Sequence, residues 1–170
     1  PAISVAADIA VYYTRPVYWF GNTDANFSWG VSINNIGSKM QYNEATLEKD
    51  FVPTNLRLGP TLQLAIDDYN TLAFSVDLNK LLVPTPPVYA TDPETGAIIF
   101  ENGEPVIAAG KDDNVGPVQG IIQSFYDAPG GFSEELKEFT LGLGAEYCYN
   151  QTFFVRTGFF NEAKMKGNRR

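Results

Sequence analysis

Apolar and polar residues alternate with a period of two in six segments of the chain, the spacing that puts every second side chain on one face of a β-strand. In the first, Ile3, Val5, Ala7, Ile9, Val11 and Tyr13 oppose Ser4, Ala6, Asp8, Ala10 and Tyr12. In the second, Phe27, Trp29, Val31 and Ile33 oppose Asn26, Ser28, Gly30, Ser32 and Asn34. The third sets Leu56, Leu58, Leu62, Leu64 and Ile66 against Asn55, Arg57, Gly59, Thr61, Gln63 and Ala65; Pro60, on its apolar side, predicts a bulge or a locally unpaired site. The fourth sets Leu72, Phe74, Val76, Leu78 and Leu82 against Thr71, Ala73, Ser75, Asp77 and Asn79. Lys80 is the one charge on its apolar side and is expected to snorkel at an interface. The fifth sets Phe139, Leu141, Leu143, Ala145, Tyr147 and Tyr149 against Glu138, Thr140, Gly142, Gly144, Glu146 and Cys148. The sixth sets Phe153, Val155 and Phe159 against Thr152, Arg156, Gly158 and Glu162, with Phe154 and Phe160 breaking the polar face.

Each segment has roughly the 9–11 residues that a tilted strand needs to cross a bilayer. The connections Asp67–Asn70 and Tyr149–Gln151 are tight, whereas 37–53 and 84–136 are long. In up-and-down order both tight turns fall on one side, as in outer-membrane barrels with short periplasmic turns and longer extracellular loops. A soluble β-sandwich or lipocalin-like barrel alternates equally well with its apolar face inward. Against that alternative, the polar faces are built from Ser, Thr, Asn, Gly and Ala instead of the Lys and Glu of a solvated surface, and resemble a lumen. The expected class is all-β, a transmembrane antiparallel up-and-down barrel. Residues 1–170 form a partial wall, since six strands cannot close a membrane barrel and a sheet cannot leave open edges in lipid.

Composition narrows the chemistry. There is one cysteine, Cys148, and no histidine, so an intrachain disulfide, a Ser-His-Asp triad and a histidine-bound zinc are all excluded. A net charge of −8 lacks the basic footprint that binds nucleic acid. No apolar run is long enough for a transmembrane helix, and PAISVAAD lacks the basic start of a signal peptide. With no initiator Met, and with KGNRR ending where another strand should begin, a piece of a longer protein is expected.

The lumen-facing charges are Asp8, Arg57, Asp77, Glu138, Glu146, Arg156 and Glu162. A three-residue Tyr149–Gln151 loop would set Arg156 opposite Gly144 and diagonal to Glu146, a pair expected to brace the wall. No catalytic, metal or cofactor site is expected; Asp112 and Asp113 lack EF-hand spacing.

Residues 84–137 hold nine acids against Lys111 and Lys137, which is −7 of the −8. Such a stretch reads either as a solvated loop or as a partner surface. Pro84, Pro86 and Pro87 predict a stiff extended exit from the fourth strand. Val118–Phe125 predicts a short helix. Gly130 and Gly131 of DAPGGF predict a sharp bend, and Ser133 with Glu134 and Glu135 a helix start. The loop is the candidate partner-binding surface on the extracellular side. Its candidate residues are Pro84, Pro86, Pro87, Asp112, Asp113, Phe125, Tyr126, Asp127, Pro129, Gly130, Gly131 and Phe132, with the aromatics as apolar anchors.

The motifs VAADIAVYY, WGVSINNIGSKMQY, KDFVPTNLRLG, DDYNTLAFSVDLNKLLVPTPP, GIIQSFYDAPGGFSEELKE and GAEYCYNQTFFVRTGFFNEAKMKGNR span nearly the whole chain. In them the sequence resembles the PorV family of bacterial type IX secretion systems, within the wider FadL-like barrel class. The resemblance implies an outer-membrane barrel of about fourteen strands, within the size range of such barrels, of which this chain holds an internal six. It implies a non-enzymatic component that takes secreted cargo from the large translocon barrel through the cargo's carboxy-terminal signal domain and carries it to the surface attachment complex. The alternative is a FadL-type transporter of a hydrophobic small molecule, which would need a continuous apolar path that the polar faces do not offer.

Overall fold

The computed structural model describes residues 4–19, 23–41 and 49–163. Six long strands make one antiparallel sheet: β1 (Ala6–Trp19), β2 (Thr23–Gly37), β3 (Asn55–Ala65) and β4 (Asn70–Leu81), then, after a long excursion, β9 (Phe139–Tyr149) and β10 (Phe153–Asn161). Their order, β1-β2-β3-β4-β9-β10, is up-and-down throughout. The excursion carries four short strands, β5 (Val88–Tyr89), β6 (Phe100–Glu101), β7 (Glu104–Pro105) and β8 (Ile107–Ala109). Two helices follow them, α1 (Pro117–Gln123) and α2 (Phe132–Lys137). The class is all-β, and the sheet of described residues is open, with β1 and β10 at its edges.

Register keeps the alternation in phase across the sheet. Phe27 faces Leu62, Val31 faces Leu58, Val76 faces Leu143, and Leu143 faces Phe159. On the other face Ser28 pairs with Thr61, Ser32 with Arg57, Ser75 with Gly144, and Gly144 with Gly158. A slip of one residue between any two strands would mix these faces, so the pattern itself fixes the register. Tyr13 and Trp29 carry the apolar face onto β1, their ring centroids 6.2 Å apart, while Ser28 Oγ donates to Thr14 Oγ1 (2.9 Å) on the polar side.

Nothing among the described residues covers the apolar face. Among the described residues the buried hydrophobics are Ala25, Leu82, Ala128 and Cys148, while Ile9, Val11, Phe74, Leu143, Val155 and Phe159 are exposed. A soluble sandwich would bury that face against a second sheet; the additional sheets among the described residues are two-stranded.

Several sequence expectations need correction. Ile3 and KGNRR lie outside the described residues, as does the middle of 37–53. β1 starts at Ala6 and runs six residues past Tyr13, through Pro16. An edge strand tolerates that proline because one side of its ladder needs no N–H. β2 is also longer than its alternating core. Pro60 sits in unbroken register opposite Trp29, with no bulge toward β2. Lys80 does not snorkel: it is 1% exposed, with Nζ 5.3 Å from the centroid of Phe139. Glu138 caps α2 at its C-terminal end instead of joining β9, and Glu162 is buried just past β10.

The tight turns meet at one end of the sheet. Asp67 Oδ1 accepts the N–H groups of Tyr69 (2.9 Å) and Asn70 (2.8 Å), and these bonds with the Asn70 side chain hold its carboxyl below the ordinary range. Asn150 N–H donates to Tyr69 C=O across the two turns (2.7 Å). Asn150 and Gln151 both have positive φ, and Thr152 N–H closes on Tyr149 C=O, so the loop falls at 150–152, one residue later than expected.

The chain divides into two compact units. One holds the body of the six-stranded sheet (8–34, 55–80 and 139–170); the other gathers 1–7, 35–54 and 81–138, and so contains both long connections.

Candidate partner-binding face

Within the second unit, a strap leaves β4 through Leu82, whose N–H donates to Thr54 C=O (2.8 Å), while Thr54 Oγ1 donates to Asn35 C=O (2.8 Å). Asn35 ends the regular part of β2 in a left-handed conformation (φ 60°), which asparagine tolerates better than most residues. Pro84 and Pro87 are buried and Pro86 is exposed. Fixed φ makes such a strap stiff. Thr85, between them, donates its N–H to Asp127 Oδ2 (3.1 Å) and its hydroxyl to Glu138 Oε1 (2.6 Å).

Beyond the strap, residues 88–109 fold into three short segments that close on one another. Ala90 N–H donates to Val106 C=O, Ile99 N–H to Ala90 C=O, and Val106 N–H to Ile99 C=O, at 2.8–2.9 Å. The β6–β7 hairpin turns on Asn102 and Gly103, both at positive φ, the dipeptide that a primed two-residue turn demands.

Helices α1 and α2 follow, and their burial is inverted. Ser124, at the α1 C-cap, is 0% exposed, and Gly120 and Gln123 are buried. Gln123 Nε2 donates to Asp112 C=O (2.7 Å) and Ser124 Oγ to Ile121 C=O (2.8 Å), so the buried polar groups are satisfied. The apolar stripe at i, i+4 and i+7, Val118, Ile122 and Phe125, faces solvent, with Val118 69% exposed. α2 repeats the inversion: Glu135 is buried, while Phe132, 77% exposed, and Leu136 point outward. Gly120 explains how α1 seats with so little apolar matter beneath it. A Cβ there would fall 2.7 Å from Phe51 Cε1 and 3.1 Å from Pro84 Cδ, so backbone packs directly on ring and proline. Lys39 Nζ covers the same Phe51 ring at 4.2 Å.

The bend between the helices is held by the acids of α2. Glu134 Oε2 accepts Gly130 N–H (2.7 Å) and Glu135 Oε1 accepts Ala128 N–H (2.8 Å). Gly131, at φ 70°, is the N-cap, and Ser133 lies inside the helix instead of starting it.

The expected site residues thus divide. Phe125, Tyr126 and Phe132 are exposed, as anchors require, and Lys111 Nζ sits 3.9 Å from the Tyr126 ring centroid. Asp112 is exposed, its carboxylate accepting Asn114 N–H and its C=O accepting Gln123 Nε2, and Asp113 is half-buried. Pro84, Pro87 and Asp127 lie beneath as supports, and Pro129 and Gly130 shape the bend. Val118, Ile122 and Leu136 were not anticipated as surface anchors; their helical spacing was visible, but nothing in it says which side faces in.

Of the predicted lumen charges, Arg57, Asp77, Glu146 and Arg156 sit on the polar face. Arg57 stands opposite Ser32, and Asp77 lies opposite Gly142, beside Gly59. Arg156 is directly opposite Glu146, not Gly144, and its Nε donates to Glu146 Oε2, because the turn lies one residue later than expected. On the apolar face, Ala145 and Thr157 floor a depression of about 420 Å³ rimmed by Phe74, Leu143 and Phe159. Among the described residues no group of three His, Cys, Asp or Glu could hold a metal ion.

A family model described as type IX secretion system protein PorV matches residues 1–88. The chain belongs to the PorV family. The matched span takes in β1 to β4 and the proline strap and stops at the first residue of β5, so the PorV match does not itself cover the helix pair. No curated protein matches the chain. Membership makes this a component of the type IX secretion machinery.

Proposed function

We propose that the chain is wall and docking loop of an outer-membrane barrel that binds secreted cargo after translocation and carries it to the surface attachment complex, without catalysis. The observation that carries the docking role is the inverted burial of α1 and α2. Satisfied polar side chains are spent on the inside so that Val118, Ile122, Phe125, Phe132 and Leu136 stand outside. Large apolar side chains exposed on both helices are the signature of an interaction surface. Asp112, Asp113 and Glu134 belong to the same stretch, which carries −7, so the complementary partner is apolar and basic. The long connections lie opposite the tight turns in the strand order, which suits an extracellular loop facing emerging cargo. The polar sheet face, rich in Ser, Gly and Asn, suits a filled or wetted lumen and offers no apolar conduit.

Burying one large apolar side chain contributes roughly 1.5–3 kcal/mol, about tenfold or more in affinity. Phe132→Ser with Ile122→Ser is therefore expected to cut co-purification of cargo and translocon by at least about tenfold while leaving outer-membrane assembly intact. Unchanged capture by a correctly assembled variant would remove the helix pair from the docking role.

A further inference from the structure

Asp127 is the most deeply buried carboxylate of the loop. It is 1% exposed, and its two oxygens are treated differently. Oδ2 accepts Thr85 N–H, while Oδ1 is buried and receives no hydrogen bond. A buried acceptor without a donor costs roughly 1–3 kcal/mol, more when charged, and calls for an explanation. The groups nearest it in charge make matters worse: Glu135 from α2 and Glu138 from its C-cap both repel a second negative charge there. Thr85, from the strap, brings only its N–H to Asp127, because its hydroxyl is given to Glu138. On the β8 side, Gly110 packs against Asp127 C=O, and the neighbouring Lys111 commits its ammonium to the Tyr126 ring. Glu134 is turned to Gly130 N–H, and Lys137 is exposed.

We propose that the Thr85–Asp127 contact is a proton-operated latch: with Asp127 neutral the proline strap holds the helix pair, and with Asp127 ionised between Glu135 and Glu138 the contact loosens. A proton on Oδ1 removes the unpaired buried charge and the repulsion in one step; on ionisation the proton leaves to solvent. Burial first, then the two glutamates, pushes the Asp127 carboxyl above the ordinary aspartate range, against the pull of Thr85 N–H. The sign follows. Below the ordinary aspartate pKa the closed and open loops are both protonated, and the closed state keeps its full advantage. As pH rises toward the raised value the open loop ionises first, so closure weakens by about tenfold for each pH unit between the two values. The device concerns closure of the loop, whatever partner its outer face takes.

The test is amide hydrogen exchange of residues 117–138 in the full chain in detergent micelles. Rates are corrected for base catalysis and followed upward from about pH 4, the ordinary aspartate pKa at which the loss of closure begins. The wild type should lose protection progressively, by about tenfold or more, whereas Asp127→Asn, which cannot ionise, should give a flat profile. A flat wild-type profile, or the same slope in Asp127→Asn, overturns the latch. Should Asp127→Asn leave the loop open at every pH, Glu135→Gln decides. That variant keeps the acceptor for Ala128 N–H but removes one repelling charge, so the loss of protection should move to lower pH; an unmoved profile overturns the proposal.

Discussion

Arg156 is held from two directions on the polar face: its Nε donates to Glu146 Oε2, and its guanidinium lies 5.1 Å from the centroid of the Phe154 ring. The Arg156 side chain is two-thirds exposed, so the pair is solvent-screened and its worth is that of a cross-strand pair. A double-mutant cycle with Glu146→Gln and Arg156→Gln, read in refolding equilibria, is expected to give about 0.2–1 kcal/mol of coupling; zero coupling would show that the geometry is incidental. That the two residues project to one face was legible from period-two spacing alone. Their direct opposition was not, because it depends on where the hairpin turns, and Asn150 and Gln151 adopt left-handed φ without a glycine to announce it. Asn102-Gly103, by contrast, spelled its turn in the sequence, and the β6–β7 hairpin could have been read from it.

At the scale of elements, all six long strands followed from alternation, and both helices from local signals, but the orientation of the helices did not. An amphipathic stripe at 118, 122 and 125 reads as a core face by default. The structure reverses it because Gly120, lacking a side chain, lets the α1 backbone rest on Phe51 and Pro84, which takes the place of apolar side-chain packing. That contact joins residues far apart in sequence and leaves no periodic trace. It also sets a testable cost. Gly120→Ala would gain up to about 1 kcal/mol in helix propensity, but its Cβ would press on a ring already covered by Lys39 and on a rigid proline. Overpacking of about 1–3 kcal/mol should win. Exchange across 117–124 is expected to quicken several-fold in Gly120→Ala; equal or slower exchange would mean that Phe51 swings aside freely. Gly144, where the close atom is the rotatable Ser75 Oγ, provides the permissive contrast.

At the scale of the whole molecule, the decisive feature among the described residues is a sheet with one apolar face uncovered and two open edges. In water the uncovered face would be an aggregation hazard, and the unpaired backbone of β1 and β10 would invite further strands. In a bilayer the same face becomes the lipid contact, and the edges must pair, since an unpaired backbone group in hydrocarbon costs several kcal/mol. Both demands are met if these strands form part of a closed barrel wall. Alternation alone could not choose between lipid and a soluble core; the exposure of Phe74, Leu143, Val155 and Phe159 together with the in-phase register supports the lipid-facing proposal, which labelling can test. Single cysteines placed by turn at Leu62, Leu64, Phe74 and Val76, with Cys148 replaced by Ser, should react with a membrane-restricted probe. Those at Thr61, Gln63, Ser75 and Asp77 should be spared and react instead with a water-soluble reagent admitted to the lumen. The two sets are adjacent in sequence, so local mobility or depth cannot separate them; only the face can. Equal labelling of both sets would mean that the sheet does not divide lipid from lumen, and the wall would have to be rebuilt as a surface covered by protein.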